Sequence, residues 1–372
     1  MTPALQRILQ ITAPGPHGGR ETVVADLSTA LHEAGHAVEV LAVLDRGTDP
    51  DSHPFVRTLA ERGVALRSVI LPPRAYREEA RAVRAAIVDA GATILHSHGY
   101  RTDVVGSFAR RGTDCRFVST AHGFTGGGWK NRLYERLQAR AWRHGEAVIA
   151  VSEPLVRAIR ERGVDRSKIR LIPNAWRRSV PAMTREEARS RLGIPAEAKV
   201  AGWTGRLSAE KGPDVALEAL ARTADEEIQL HFVGEGRMRT ERQARAEAEG
   251  LGHRVRGHGA IDHAADFFPA FDLFLLSSRT EGTPMVLFEA MAAEIPIVAT
   301  SVGGVPDVLT GSVALLVPPG EPGALARALD TCFAATGEAR RRAELALQRL
   351  RTRYAPEAWV EAHVELYRDI GS

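Results

Sequence analysis

Short apolar and β-branched runs alternate with longer helical patterns throughout the first half of the chain. The predicted strands span residues 7–12, 37–43, 65–69, 94–97, 116–120 and 147–151. Between them, the spacing of apolar residues predicts helices that include residues 22–34, 78–90 and 131–143. Strands that alternate with helices are typical of a parallel sheet covered on both faces. The first half is therefore predicted to be a doubly wound α/β domain.

The second half repeats this alternation and predicts a second domain of the same kind. Its predicted strands span residues 199–204, 229–233, 255–257, 273–277, 296–300 and 314–317. Three prolines around a charged stretch predict a linker within residues 172–195. A final helix is predicted over residues 355–370. We therefore expect domains at residues 1–178 and 179–353, followed by a C-terminal helix within residues 354–372.

Composition narrows the class of protein. A chain of 372 residues that is 44% apolar and 26% charged is suited to two folded domains. The net charge of +3 gives no case for a nucleic-acid partner. Cys115 and Cys332 stand far apart, so neither a disulfide framework nor a zinc site is predicted, and a cytoplasmic location is expected. No stretch approaches the ~20 apolar residues of a membrane span, so any membrane role is expected to be peripheral.

A glycine-rich turn follows the first predicted strand. Gly15, Gly18 and Gly19 precede a predicted helix, where backbone amides could approach a phosphate. Such a turn is equally typical of a tight strand-to-helix connection. Because residues 20–24 offer no third glycine, the dinucleotide fingerprint is incomplete and a nicotinamide enzyme is disfavoured.

Two cations follow the strand predicted at residues 199–204. Arg206 and Lys211 lie near its carboxyl end, where open α/β sheets bind ligands. A guanidinium can hold a diphosphate with paired hydrogen bonds, and an ammonium can hold it as a point charge. The alternative is an ordinary pair of solvated side chains.

Two glutamates flank a turn and the start of an apolar helix. Glu281 stands in the turn, Pro284 can initiate the helix, and Glu289 lies within its first turns. Glu281 could accept hydrogen bonds from sugar hydroxyls, the amides of Met285 and Val286 could meet phosphate, and Glu289 could accept from ribose. Alternatively, Glu289 only complements the helix dipole.

The ordered set of motifs resembles glycosyltransferase family 4 over nearly the whole chain. It comprises Gly18-Gly19, Gly205-Arg206, Lys211-Gly212, residues 232–236, residues 281–289 and residues 302–306. The resemblance implies a GT-B fold, in which two Rossmann-like domains face each other across a cleft. It also implies a nucleotide-sugar donor held mainly by residues 179–353, an acceptor held mainly by residues 1–178, and retention at the anomeric carbon. The closing helix is expected to cross back to the first domain.

The same resemblance implies roles for individual residues. Arg206 and Lys211 would bind the donor diphosphate, with Gly18 and Gly19 beneath it, and residues 302–304 would line the floor. The remaining donor contacts would come from Glu281, Gly282, Thr283, Met285, Val286 and Glu289. His122 would be catalytic together with Arg206, Lys211 and Glu281, while His98 would lie on the acceptor side. Asn174 matches a family turn at the hinge, although Ala175 stands where glycine is usual.

These roles predict chemistry without a metal or other cofactor. Fixed cations and helix amides would stabilise the departing diphosphate. The acceptor hydroxyl would attack from the leaving-group side, with a donor phosphate oxygen taking its proton. Glu281 acting as a covalent nucleophile is the alternative. A UDP-sugar is favoured as donor and a GDP-sugar is possible, with the acceptor in polysaccharide, glycolipid or glycoconjugate synthesis. A nucleotide-sugar 2-epimerase and a non-catalytic nucleotide-sugar-binding protein remain open.

One predicted helix suggests a membrane surface. Apolar residues recur every four positions within residues 129–143, at Trp129, Leu133, Leu137 and Ala141. They stand beside Arg132, Arg136, Arg140 and Arg143. Such a basic amphipathic helix could rest on an anionic membrane at the inner face and reach lipid-linked acceptors. A domain helix with a solvated basic face is the alternative.

Overall fold

The computed structural model describes residues 6–15, 18–124, 129–177 and 183–371, without the side chains of residues 129–132. The chain divides into two compact units. Unit 1 comprises Met1–Arg177 and Pro356–Ser372, and unit 2 comprises Arg178–Ala355. Residues 178–182 of the predicted linker lie outside the described residues.

Unit 1 is built around a seven-stranded sheet in the order β3-β2-β1-β4-β5-β6-β7, and every described pair is parallel. The strands are β1 Arg7–Thr12, β2 Ala37–Asp45, β3 Ala65–Leu71, β4 Ile94–His98, β5 Arg116–Ala121, β6 Ala147–Ala150 and β7 Ile169–Leu171. The helices are α1 Gly19–Glu33, α2 Pro54–Glu61, α3 Tyr76–Asp89, α4 Tyr100–Ala109, α5 Trp129–His144, α6 Glu153–Glu161 and, from the end of the chain, α14 Pro356–Gly371. A short 3-10 turn lies at Arg166–Lys168.

Unit 2 is built around a six-stranded sheet in the order β10-β9-β8-β11-β12-β13, also parallel. The strands are β8 Lys199–Thr204, β9 Ile228–Val233, β10 Val255–Gly257, β11 Leu273–Leu276, β12 Ile297–Thr300 and β13 Leu315–Val317. The helices are α7 Arg185–Leu192, α8 Pro213–Leu220, α9 Arg239–Ala248, α10 Met285–Ala292, α11 Val305–Val308, α12 Pro322–Ala334 and α13 Thr336–Arg353. Two 3-10 segments lie at Ala209–Lys211 and Ala264–Ala270.

All twelve predicted strands are present, and β7 is an additional short strand that the sequence pattern did not predict. The central strands are buried along nearly their whole length, as in β1, where five consecutive residues are buried. Strands covered by helices on both faces read as continuous apolar runs rather than alternating ones. This explains why uninterrupted apolar runs marked the strands so well.

Each sheet reverses its strand order at one place, between β1 and β4 in unit 1 and between β8 and β11 in unit 2. In open α/β sheets, the carboxyl ends of the strands at such a reversal form the ligand-binding edge. In unit 1 the register places Thr12 beside His98, and His98 beside Thr120. These edges position the candidate site residues of both units.

The closing helix α14 packs on unit 1. Trp359 and Tyr367 are buried, and the Tyr367 hydroxyl is 2.7 Å from Nδ1 of His96 on β4. Cys115 and Cys332 are free and buried, one in each unit. Burial raises the pKa of the Cys332 thiol to about 11 and that of Cys115 to about 12, which keeps both protonated.

Candidate functional site

Lys211 and Glu281 form a close ion pair in unit 2. The Lys211 ammonium donates to both carboxylate oxygens of Glu281, at 2.6 and 2.7 Å. The hydroxyl of Ser278 donates to the same carboxylate at 2.6 Å. Only 6% of the Glu281 side chain is exposed. The two residues, predicted to contact different parts of a ligand, thus contact each other and form one charged unit.

The loop that carries Lys211 is pinned to the end of β11. Gly212 has a φ of 63°, and a Cβ there would lie 2.3 Å from the carbonyl oxygen of Ser277. Only glycine fits this conformation and this close approach. The Ser277 hydroxyl donates to the Gly212 carbonyl at 2.7 Å and accepts from the Trp203 indole at 3.0 Å. Lys211 is therefore held by its backbone as well as by its ion pair.

A second brace between the same two loops was not foreseen from the sequence. Arg279 donates to both carboxylate oxygens of Asp214, at 2.9 and 2.6 Å, and to the carbonyl of Ala209 at 2.8 Å. The Arg279 guanidinium therefore fixes the loop of Lys211 against the turn of Glu281. The only local signal was an arginine directly after Ser278 at a strand end.

The Arg206 side chain is much more exposed than that of Lys211. Its side chain is 69% exposed, and its nearest recorded ion-pair contact is Glu210 at 4.0 Å. The backbone beneath it is fixed, because Gly205 N–H donates to the Val233 carbonyl and Leu207 N–H donates to the Glu235 carbonyl. Arg206 is thus an exposed guanidinium on a hydrogen-bonded loop at the carboxyl ends of β8 and β9.

The segment from Glu281 to Glu289 is arranged as a turn followed by a helix. α10 begins at Met285 after Pro284, with Met285 buried and both Val286 and Glu289 half-buried. The first N–H groups of a helix have no acceptor within the helix, so those of Met285 and Val286 are suited to an anion.

Residues 302–304 lie directly against the Glu281 turn. Gly303 has a φ of 51°, and a Cβ there would be 1.8 Å from the Glu281 carbonyl oxygen. The N–H of Gly304 donates to the Gly282 carbonyl at 2.8 Å. The predicted floor segment therefore supports the turn that carries Glu281, Gly282 and Thr283.

The glycine-rich turn of unit 1 is organised by Glu21. Gly19 is the first residue of α1, three residues earlier than predicted. The Glu21 carboxylate accepts from the Gly15 N–H at 3.0 Å and from Arg20 at 2.8 Å. Burial raises the pKa of Glu21, but Arg20 and the backbone amides outweigh it and leave the pKa below its ordinary value. A Cβ on Gly18 would meet this carboxylate at 2.4 Å.

His98 and His122 contact each other at the carboxyl edge of unit 1. His98 Nδ1 lies 3.1 Å from His122 Nε2, and His98 Nε2 lies 2.5 Å from the amide oxygen of Gln10. Burial holds the pKa of His98 well below its ordinary range, and lowers that of His122 to about 3 with help from nearby Arg20. Both rings are therefore neutral at neutral pH.

Because both rings are neutral, each has one N–H donor and one lone pair, and this sets the direction of the hydrogen bonds between Gln10, His98 and His122. The side-chain amide oxygen of Gln10 can only accept, so His98 Nε2 carries the proton and His98 Nδ1 carries a lone pair. His122 Nε2–H must then donate to His98, which leaves a lone pair on Nδ1 of His122. His98 was predicted to contact the acceptor, but it is buried and both its nitrogens are engaged. Among the described residues, its ring contacts His122 and Gln10.

A separate set of hydrogen bonds surrounds His96 in the core of unit 1. His96 Nε2 lies 2.7 Å from the Thr120 hydroxyl, and its Nδ1 meets Tyr367 of α14. The His96 and His98 ring centroids are 4.3 Å apart. Burial holds the pKa of His96 well below its ordinary range. Asn174, the predicted hinge residue, is buried beyond the end of β7.

Asp103 is a buried polar centre that the sequence did not reveal. Its carboxylate accepts from the Ser119 hydroxyl at 2.8 Å, the Gln138 amide at 2.7 Å, the Trp142 indole at 3.1 Å and the Ser97 hydroxyl. Burial raises the pKa of Asp103, and these hydrogen bonds oppose that rise. The donors come from β4, β5 and α5, so no local sequence pattern could have indicated the cluster.

The apolar stripe predicted on α5 is divided between core and surface. Ala141 is buried, whereas Leu133 and Leu137 are exposed. The exposed Tyr134 stacks on Tyr100 of α4, with ring centroids 6.1 Å apart. Arg136, Arg140 and Arg143 are also exposed. The side chains of Trp129 and Arg132 lie outside the described residues.

Two features are absent from the described residues, which are 6–15, 18–124, 129–177 and 183–371. In these ranges, histidine, cysteine, aspartate and glutamate side chains form no group of three that could hold a metal ion. Within the same ranges, no helix is both long and apolar enough to cross a bilayer.

Family models match both units. Residues 18–175 match a glycosyl transferase 4-like domain, and residues 198–334 match glycosyl transferases group 1. The D-inositol 3-phosphate glycosyltransferase of Xylanimonas cellulosilytica is 30% identical over 367 residues, covering 89% of this chain and 86% of that protein. The chain belongs to glycosyltransferase family 4. A Bacillus subtilis protein provisionally named as the teichuronic acid biosynthesis glycosyltransferase TuaC matches this glycosyltransferase at 37% identity, over 39% of the chain and 36% of that protein.

Solved structures establish the fold of this glycosyltransferase as GT-B. Anabaena HepE in complex with UDP has a TM-score of 0.83 at 22% identity, covering 97% of this chain and 99% of that one. Sucrose-phosphate synthase from Thermosynechococcus elongatus has a TM-score of 0.83 at 24% identity, covering 98% and 99%. Identity this low supports the shared fold alone.

Proposed function

We propose that this glycosyltransferase transfers a sugar from a nucleoside diphosphate donor, with UDP-sugars favoured, to a hydroxyl acceptor with retention at the anomeric carbon. The observation that carries the proposal is the braced Lys211–Glu281 pair at the carboxyl ends of β8 and β11. The turn of Glu281 leads directly into the amino end of α10. Cations, a carboxylate and helix amides thus occur together, as a donor with a diphosphate and a polyol requires.

The diphosphate would be held by positive groups that differ in exposure. Two of the three Lys211 protons point to Glu281, and the third can reach a phosphate oxygen. The exposed Arg206 can close on the diphosphate with two parallel hydrogen bonds. The amides of Met285 and Val286 would add the helix dipole, and Gly18 and Gly19 would lie beneath the diphosphate. These groups would stabilise the leaving group without a metal.

The donor sugar and ribose would be bound by carboxylates. Glu281, with Gly282 and Thr283 beside it, would accept from sugar hydroxyls, and Glu289 would accept from ribose. The ion pair disfavours Glu281 as a covalent nucleophile, because attack would remove the charge that compensates Lys211. We therefore favour attack by the acceptor from the leaving-group side, with a donor phosphate oxygen accepting its proton. The UDP complexes named for HepE support a uridine donor.

His122 would orient the donor sugar. With its Nε2–H directed at His98, Nδ1 presents a lone pair that can accept from a sugar hydroxyl. A ring with a pKa of about 3 is an unlikely source of protons at neutral pH, so His122 would act as an acceptor rather than as a general acid.

The acceptor would be reached at a membrane surface. Leu133, Tyr134 and Leu137 are exposed on α5 beside Arg136 and Arg140. Apolar side chains beside exposed cations are suited to an anionic membrane, from which a lipid-linked acceptor could be delivered. This contact, the acceptor class and a location at the inner face of the membrane belong to the proposal.

Thermal unfolding with UDP, GDP and ADP, each with and without magnesium, tests the donor assignment. We expect UDP alone to raise the melting midpoint, because a ligand that binds only the folded state stabilises it. Arg206→Ala and Glu289→Ala should remove the shift, whereas Arg222→Ala, an exposed arginine paired with Glu218, should retain it. Stabilisation that requires magnesium, or none with any nucleotide, would overturn the metal-free donor site. NMR of the product anomer would test retention.

A further inference from the structure

A cavity of about 270 Å³ lies in unit 2 between α9 and the edge strand β10. Its lining does not include any residue proposed for the donor site. Three arginines line it, at positions 239, 242 and 256, against one carboxylate, Glu247. Glu247 accepts a hydrogen bond from Gln243 at 3.4 Å. The lining therefore carries an excess of positive charge.

Arg242 is the central residue of this cavity. It is only 6% exposed, and its guanidinium carbon lies 4.4 Å from the centroid of the Phe232 ring. Its Nε is buried without an acceptor, and no ion pair to it occurs among the described residues. Burial, together with the charge of Arg239, lowers the pKa of Arg242. A buried cation without a partner is unfavourable, so its presence requires an explanation.

Two other buried arginines of unit 2 each have hydrogen-bond acceptors within the protein. Arg189 donates to the backbone carbonyl of Ala270 and to the carboxylate of Asp272. Arg254 donates to the carbonyl of Ile228 and to the hydroxyl of Thr223. Both are as buried as Arg242, and both have protein acceptors. Arg242 has no such acceptor among the described residues, and the cavity beside it offers room for an external one.

The backbone leaves room for the guanidinium at the cavity. A Cβ on Gly257, at the end of β10, would lie 2.6 Å from Nη2 of Arg242. Any larger residue there would displace the guanidinium. Arg239 pairs with Glu235, and Arg256 donates to the carbonyls of Gly252 and Val255. These two arginines stand at the cavity with protein partners, whereas Arg242 has none.

We propose that this cavity binds a phosphate monoester through Arg242, with Arg239 and Arg256 beside it. Three guanidinium groups and one carboxylate line the cavity, and Arg242 and Arg256 keep its charge positive beside the Arg239–Glu235 pair, which suits a phosphate anion. A planar guanidinium can hold two phosphate oxygens at once, and the Phe232 ring keeps it in place. The cavity volume also accommodates part of the group that the phosphate esterifies.

Calorimetric titration with inorganic phosphate and with glycerol 3-phosphate tests the site. The Arg206→Ala background weakens phosphate binding at the proposed donor site, and the effect of Arg242→Met within this background reports on the cavity alone. We expect one bound phosphate per chain, and Arg242→Met should weaken binding by roughly tenfold or more. Arg245→Met is the matched control, because Arg245 lies on the same helix and is paired with Glu249. It should leave binding unchanged.

Stability without phosphate provides a second measurement. Because Arg242→Met removes an unpaired buried charge, its melting midpoint should equal or exceed that of the parent until phosphate is added. Gly257→Ala should weaken phosphate binding by displacing the guanidinium. Undiminished phosphate binding by Arg242→Met would overturn the site. So would a markedly lower midpoint of that variant without phosphate, or equally strong binding of acetate.

Discussion

The two ring nitrogens of His122 have different surroundings, and this difference gives the residue its chemistry. Nε2 is directed at His98, which is fixed in turn by Gln10. Gln10 lies on β1, two positions before its end, and His98 is the last residue of β4. The protonation of His122 is therefore determined by a side chain that it does not touch.

Replacing Gln10 tests this chain of hydrogen bonds. Gln10→Leu removes the acceptor of His98 Nε2–H, so His98 should move its proton to Nδ1 and donate to His122. His122 would then carry its proton on Nδ1, which we expect to lower kcat roughly tenfold. Nitrogen-15 NMR of labelled histidine rings reports the tautomer directly, independently of activity.

Gln10→Glu serves as the matched variant. A carboxylate still accepts from His98 Nε2–H, so the His122 tautomer should remain that of the parent protein. A parent spectrum with the His122 proton on Nδ1 would contradict the chain and would mean that the Gln10 amide is reversed. The buried amide nitrogen of Gln10 has no acceptor among the described residues, which makes its orientation a meaningful choice.

At the level of single residues, the sequence indicates candidate positions more readily than the side chains that they contact. Glu281 and Lys211 both follow strands, and strand ends can be read from apolar runs. Their contact could not be predicted, because 70 residues separate them and the sheet order brings them together. His98 was placed at a strand end, but its contact with Gln10, 88 residues away, could not be predicted.

Elements whose signal is local were predicted best. β1 and β8 have the predicted bounds because each is a mainly apolar run that begins with a cation and ends with threonine. β10 also has the predicted bounds. β7 was missed; its three residues lie directly before the predicted linker at residues 172–195. On α5, the spacing predicted one apolar face. Instead, the buried face includes Gln138 and Trp142, which donate to Asp103, and Leu133 is exposed.

The exposed face of α5 predicts binding to anionic vesicles. Leu133→Ser with Leu137→Ser should weaken sedimentation with phosphatidylglycerol vesicles by roughly tenfold, because less apolar surface enters the lipid interface. Val88→Ser is the control, since Val88 is an even more exposed apolar residue, on α3. Binding should fall as salt screens the arginines. Equal binding by the double variant and the parent would contradict a membrane contact through this helix.

For the whole molecule, titratable histidines are distributed unevenly between the two units. Among the described residues, five in unit 1 have a pKa lowered by burial: His36, His96, His98, His122 and His363. In unit 2 the corresponding residues are His231 and His258. These histidines are neutral when folded but gain protons near pH 6.5 when unfolded. The unfolded state thus binds more protons below that pH, so stability falls as the solution is acidified.

This asymmetry predicts that acid and nucleotide act on different units. Below pH 6.5, each such histidine lowers the free energy of unfolding by up to about 1.4 kcal/mol per pH unit, until the pH reaches its pKa in the folded state. Scanning calorimetry should therefore show two transitions, one for each unit. Acidification from pH 7 to pH 5 should lower the melting midpoint of unit 1 more than that of unit 2. UDP should raise the transition of unit 2, which contains Arg206, Lys211 and Glu281. His363→Phe should reduce the acid sensitivity of unit 1, whereas His258→Phe should not. Equal acid sensitivity of both transitions would contradict the assignment.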